Sequence, residues 1–443
     1  MKTRIFLCLL LSLALLQGCS KNSGGGSSSN GSVRLVNASL ANPSLDMNVS
    51  SSVLASTSFA SGVATGSAST VVDIAPGTYT FSLAATGSGN PLAQQSLLIS
   101  SAMPYALVAH PQGGQLQLTA LTENELPPAT GDGKIRISNL ALQDSGGVDV
   151  YMAASGGTPT SVPAGVSAIA SNLGVASGYF ELPQGSYQIW VTGVGKPADV
   201  RLYLPAVAIT NPNVTTLVLT ATAGGVLVDG WLVTQGDSTV AELPNTSARI
   251  RVAANIAGSG TVVATVNGVD LDASTLVSPQ LDSYAVIPSG ALTASVVVGG
   301  ATFTPTLPAA AAGADYTLLV AGSAASPTFN LISDDNSLPP GGMAKLRLVN
   351  GANVATALNL SLTADVNLVA QNVAFGTAST PATLTPSGSA SSLQVTPLFP
   401  TPPGLTWSPS SALTLQSQGV YSVFVLGGTT APDVPTAIVR ADR

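Results

Sequence analysis

The chain has one histidine, His110, and a few clustered carboxylates; these are the groups whose types and spacing could carry acid–base or metal chemistry. His110 follows the apolar stretch Tyr105-Ala106-Leu107-Val108-Ala109 and precedes Pro111-Gln112-Gly113-Gly114, a turn sequence, so it reads as a surface residue at a strand end. A Ser/His/Asp arrangement would need it, yet no Gly-Xaa-Ser-Xaa-Gly elbow accompanies it. Glu123 with Glu125, and Asp270 with Asp272, are two positions apart, which on a strand puts both carboxylates on one face about 7 Å from each other, a spacing that glycosidase chemistry tolerates. Neither pair sits among the aromatic and charged residues that hold a sugar or raise a pKa, and both read as solvated edge or loop carboxylates. Glu123-Asn124-Glu125 and Asp334-Asp335-Asn336 also gather oxygen donors at unit boundaries, where calcium could stiffen a joint, but neither has full EF-hand spacing and the second junction offers only Glu242. A single His and two Cys are too few for a His/Cys metal centre. Gly87-Ser88-Gly89 lacks the following Lys and helix of a phosphate loop. The residues therefore supply no catalytic set and no cofactor site, and the chain reads as a non-enzyme.

The elements that would position these residues are strands. Short runs rich in Val, Leu, Thr and Tyr alternate with period two between clusters of Gly, Pro and Asn, and only residues 309–312 suggest a helical turn. Four openings align: Val33-Arg34-Leu35-Val36-Asn37, Ile135-Arg136-Ile137-Ser138-Asn139, Ile250-Arg251-Val252-Ala253-Ala254 and Leu346-Arg347-Leu348-Val349-Asn350, their arginines 102, 115 and 96 residues apart. Each is followed by a second alternation (Leu45-Asp46-Met47, Val148-Asp149-Val150, Val262-Val263-Ala264, Leu358-Asn359-Leu360), then a Gly-containing turn, then a late β-rich stretch. This divides the chain into units at 33–128, 134–244, 249–340 and 345–443. Each has about the length and strand number of an immunoglobulin-like sandwich, so the predicted fold is all-β, tandem antiparallel sandwiches. Set in a row, four such globules make a rod on the order of 130 Å. Alternation places each repeated arginine on the outer face of its sheet. There Arg34 would pair with Asp46 and Arg136 with Asp149 across neighbouring strands; in the simpler case the arginines only keep exposed strands soluble.

Only 8% of the 443 residues are charged, against a usual ~25%, and the net charge is -7 with no basic stripe, which argues against nucleic acid as a partner. Residues 1–18 stand apart. Lys2 and Arg4 precede an apolar run at 5–16, too short for the ~20 residues of a spanning helix and of the form of a signal peptide. Leu16-Gln17-Gly18-Cys19 then resembles the lipobox of bacterial lipoproteins, which implies lipid on Cys19, cleavage just before it and, with Ser20 rather than Asp next, the outer membrane. The Gly/Ser-rich segment 19–32 is a flexible tether with a root-mean-square span of roughly 20 Å. With Cys8 lost and Cys19 acylated, no disulfide forms within the mature chain.

Val33 to Ala38, Val148-Asp149-Val150-Tyr151 and Gly77-Thr78-Tyr79 resemble the bacterial domain of unknown function 4397 family, best in the first two units and with the last two degenerate. The resemblance implies a β-sandwich on an exported protein and no particular chemistry. The expected role is a membrane-anchored surface protein that binds or adheres to a protein or glycan; the other reading is a structural spacer or assembly partner facing the periplasm.

Overall fold

In the opening strand Gly31–Asn37, Val33 and Leu35 are fully buried and point between two sheets. The strand pairs in parallel with Pro104–Gln112, which pairs antiparallel with Gln115–Thr122. The second sheet is Thr57–Ala64, Ser44–Ser50, Gly77–Ala85 and Pro91–Ile99, and its Leu45, Met47, Phe81 and Leu83 close the core from the other side. The computed structural model describes residues 29–156, 161–271, 275–352, 357–362, 368–386, 392–398, 413–427 and 435–443. The expected signal peptide, Cys19 and Asp272 thus lie outside the described residues. Three further sandwiches repeat the plan, each with its own apolar cluster. One four-residue helix, Leu142–Ser145, interrupts the strands, and among the described residues no helix is long and apolar enough to cross a membrane.

The sandwiches are antiparallel except for one ladder in each. Asp132–Asn139 with Val214–Ala221, Ser247–Ile256 with Asp315–Ser323, and Ala344–Asn350 with Val420–Leu426 repeat the parallel pairing of the first unit. A parallel pair needs a long crossover, and the whole second sheet serves as one. Three of the late strands carry a tyrosine corner. Tyr105 accepts from the Ser100 amide at 3.3 Å, Tyr316 from Ala311 at 3.0 Å and Tyr421 from Gln416 at 3.1 Å; the second unit has Thr215 there. The first strand starts at Gly31 rather than at residue 33, and the position needs glycine, because a Cβ there would come within 2.5 Å of Ile99. Gly133 is crowded in the same way by Ile209, at 2.6 Å.

Asp46 and Asp149 do not meet the arginines, because the opening strand and the second strand belong to different sheets. Each instead stitches a β-bulge to a hairpin turn. Asp46 accepts from the amides of Gly62 at 2.7 Å and Gly87 at 3.0 Å, and these two bonds hold its carboxyl below the usual range. Asp149 accepts from Asn172 at 2.7 Å and Gly195 at 2.8 Å. Asn359 accepts from Asn372 at 2.9 Å. The bulge residue has positive φ each time, +64° at Gly62, +47° at Asn172 and +53° at Asn372, so its amide turns out of the ladder and needs an acceptor. Buried Asp149 satisfies two such donors, and Asp149→Ala is expected to cost about 2 to 3 kcal/mol in denaturant unfolding. A change below half a kcal/mol would show the bulge to be self-supporting.

The units do not form a rod. The outer face of the first unit's parallel-paired sheet, with Val36, Ala106, Val108 and Leu121, packs on Leu140, Val218, Trp231 and Val233 of the second. Ala253, Leu319 and Ile332 of the third unit pack on Val349, Phe424 and Leu426 of the fourth. The two pairs also touch: the Gly224 amide donates to Gly313 at 2.9 Å, and Arg443 donates to the carbonyls of Asp144 and Gly225, both at 2.9 Å. Residues such as Val108 and Val218 are apolar on the outer face because that face is covered, so these strands are buried on both sides.

Candidate functional site

Alternation does put the repeated arginines on the outer faces, and the paired packing then buries Arg34, Arg251 and Arg347 and leaves Arg136 half-buried. Arg34 is 1% exposed. It is ion-paired with Glu123 of its own unit, its Nε 2.9 Å from Oε2, and reaches across to the carbonyls of Thr234, at 2.8 Å, and Asp237. Arg136 returns the contact, donating to Thr216 Oγ1 at 2.9 Å and to the Thr122 carbonyl at 2.8 Å, with its guanidinium 4.9 Å from the Tyr179 ring centroid. The third and fourth units exchange the same arms. Arg251 binds Thr317 Oγ1 at 2.9 Å and Asp442 at 2.5 Å, and lies over Tyr284 and Phe424. Arg347 binds Ser422 Oγ at 2.8 Å and Asp334 Oδ1 at 2.7 Å. Each arginine thus joins two sandwiches, which overturns both the Asp46 and Asp149 pairing and the exposed-strand reading.

The carboxylate clusters are part of the same joints. Glu123 is buried rather than solvated, and Glu125 accepts from Lys134 Nζ at 2.6 Å. Asp334 is 2% exposed between Arg347 and Arg251, while Asp335 takes Lys345 at 2.7 Å. Asn336 donates to Asp315 Oδ2 at 2.7 Å and to Tyr284 at 2.9 Å. The carboxylates suggested for calcium in these two clusters, Glu123, Glu125, Asp334 and Asp335, are therefore engaged by arginine, lysine and hydroxyl groups, while Asn336 Oδ1 is buried without a hydrogen-bond partner. Asp270 is exposed and accepts from Thr265 Oγ1 at 2.8 Å. Among the described residues no group of three His, Cys, Asp or Glu is arranged to hold a metal.

His110 is not at the surface. It lies on the same face as Ala106 and Val108, which the second unit covers, and is 2% exposed. Its Nδ1 is 3.1 Å from the Pro111 carbonyl, which can only accept, so Nδ1 carries the proton and Nε2 accepts from Thr119 Oγ1 at 2.9 Å. Burial lowers its pKa to about 4, so the ring is neutral at physiological pH.

Where the units meet is a half-open cleft of about 710 Å³. The 38–42 and 111–116 loops of the first unit form one wall and the 220–223 turn of the second another; the linker Leu338-Pro339-Pro340, with Asp335, Ser337 and Lys345, forms the third. Asp144, from the helical turn, is 3% exposed. Its Oδ1 accepts from Gly113 N at 2.9 Å, its Oδ2 has no hydrogen-bond partner, and burial raises its pKa. Asp229 lines the same cleft, and burial lifts its carboxyl to about 6 although the Asn245 amide donates to it at 2.8 Å. Neither acid was singled out from the sequence. Asp229 left a readable signal, a carboxylate inside the apolar strand Val228–Thr234; Asp144 sits in an ordinary-looking loop and left none.

The repeated sandwich with paired outer faces defines a tandem β-sandwich protein built around a shared cleft. Residues 31–151 and 248–361 match the family described as domain of unknown function (DUF4397), and the chain belongs to that family. The second match takes in the whole third unit and enters the fourth, so the third unit is less degenerate than its opening suggests. No curated protein matches the chain. Among solved structures it is similar to the Bacillus anthracis TIE protein (9% identity, 66% of this chain and 50% of that one, TM-score 0.15), so it spans half that protein's length. It is also similar to the CBM26 module of Eubacterium rectale Amy13K, solved with maltoheptaose (16% identity, 48% and 96%, TM-score 0.16). A third is the pneumococcal glycogen-degrading virulence factor SpuA (10% identity, 86% and 38%, TM-score 0.17).

Proposed function

We propose that the protein is a non-enzymatic binding protein of the bacterial cell envelope, tethered through lipid on Cys19 and presenting a four-sandwich head at the outer surface. The observation that carries this reading is the cleft where the sandwiches meet, between units that the repeated arginines join in pairs. A spacer gains from length, whereas this arrangement gives up length for a rigid, concave surface. The non-enzymatic part is supported by the engagement of the candidate catalytic groups: His110 is buried and neutral, and Glu123 is neutralised by Arg34. The tether supports display close to the membrane. Cys19→Ser is expected to move the protein from the membrane to the soluble fraction, since a lipid-free chain keeps no anchor. Protease added to intact cells is expected to cleave the wild-type protein; protection until the outer membrane is permeabilised would place it in the periplasm instead.

A further inference from the structure

We infer that the cleft at the meeting of the four sandwiches binds a cationic amine on an apolar stem, with the Asp144 carboxylate as its counter-ion. This rests on the binding-protein reading above and adds a ligand class to it. The starting point is Asp144 itself, 3% exposed at the cleft wall, with Oδ1 held by the Gly113 amide at 2.9 Å and Oδ2 without a partner. A buried carboxylate oxygen left unpaired is costly, and native proteins rarely keep one without use. The neighbouring cations are committed elsewhere. Lys345 Nζ bonds Asp335 Oδ2 and Ser337 Oγ, both at 2.7 Å, and Arg443 spends its donors on main-chain carbonyls.

The charge and shape of the cleft agree on the ligand. Among the described residues its lining carries three carboxylates, of Asp144, Asp229 and Asp335, against the one cation of Lys345, which favours a cation and disfavours phosphate or carboxylate ligands. The rest of the wall is largely apolar, with Leu40, Leu116, Leu338 and Pro339, and suits an alkyl stem; about 710 Å³ is the size of a small-molecule site. A sugar fits less well, because among the described residues Trp231 is the only aromatic one of the lining, is 1% exposed, and spends its Nε1–H on Thr220 at 2.9 Å. The same chemistry, an ammonium on four or more methylenes, is found in a free alkylamine and in a lysine side chain.

The test is calorimetric titration of the detergent-solubilised full-length protein near neutral pH with hexylammonium, with hexanol, and with an N-acetylated lysine amide. Saturable binding of hexylammonium or the lysine amide, but not of hexanol, is expected, and Asp144→Asn should weaken it about tenfold or more, as loss of a charge-assisted contact does. The arm that binds tells a free amine from a lysine side chain. Equal binding of hexanol and hexylammonium, no saturable binding of either amine, or unchanged affinity in a folded Asp144→Asn protein would overturn the proposal. The comparison of amine with alcohol uses only the wild-type chain, so it decides even if the variant misfolds. Protection from protease on intact cells would overturn surface display alone, leaving the titration as it stands.

Discussion

Asp334→Ala is expected to lower the unfolding free energy by about 3 to 5 kcal/mol, the cost of removing one partner from a buried ionic cluster. The carboxylate is 2% exposed and is the hub of the joint between the third and fourth units. Oδ1 takes Arg347 Nη2 at 2.7 Å, while Oδ2 takes Thr317 Oγ1 at 2.6 Å and the Tyr284 hydroxyl at 2.5 Å and lies 3.7 Å from Arg251 Nη2. Removing it leaves Arg347 as a buried cation without a carboxylate and costs Arg251 one of its two, Asp442 remaining. The loss falls on an interface as well as on a core, so denaturant unfolding should show an earlier transition in which the fourth unit parts from the third. A change below 1 kcal/mol, the scale of an exposed pair, would show the cluster to be solvated. Replacing Asp334 and Asp442 with Leu together with Arg251 and Arg347 by Met should restore much of the stability, because burying charges costs desolvation that apolar side chains avoid.

That cluster shows how far the sequence could be read. The sandwich units were legible because Val33, Leu35 and their counterparts alternate, and because the arginine recurs at nearly constant spacing. The outer face of Arg34 followed from the same alternation. What covers that face did not, since a second sandwich docked on the first is a long-range event that period-two patterning does not encode. The clue was in the runs themselves: Leu35-Val36 and Leu348-Val349 are apolar on consecutive positions, as a strand buried on both faces requires. The same omission made His110 and Glu123 look solvated. Asp46 and Asp149 failed for another reason: two acids at repeat-equivalent positions suggested a partner in each unit, and the partner is the amide of a bulge residue, which has no side-chain signature beyond Gly62 or Asn172. The cleft was out of reach in the same way, because its walls come from loops and linkers of all four units.

Acid should expose two buried groups that oppose each other. His110 has a folded pKa of about 4 against about 6.5 unfolded, so as pH falls the unfolded chain takes up the proton first. Its contribution to stability is present above about pH 6.5 and is lost as pH drops towards 4, about 3 kcal/mol over the window at ~1.4 kcal/mol per unit. Asp229 runs the other way. Its folded pKa is raised to about 6 from 3.8, so the folded state binds the proton first, and stability gained below pH 4 is lost as pH rises through 6, again about 3 kcal/mol. Over pH 4 to 6 the two slopes nearly cancel in the wild-type protein, and substitution separates them. Asp229→Asn keeps an acceptor for the Asn245 amide and removes the buried charge, so it should be the more stable protein at pH 7.5 and lose that advantage by pH 4, with the His110 slope left uncovered. His110→Gln, which keeps a donor and an acceptor for Pro111 and Thr119, should gain stability relative to wild type as pH falls from 6.5 to 4. Denaturant midpoints measured at half-unit intervals across this range test both at once, and parallel curves for the three proteins would show that neither group titrates differently in the folded state.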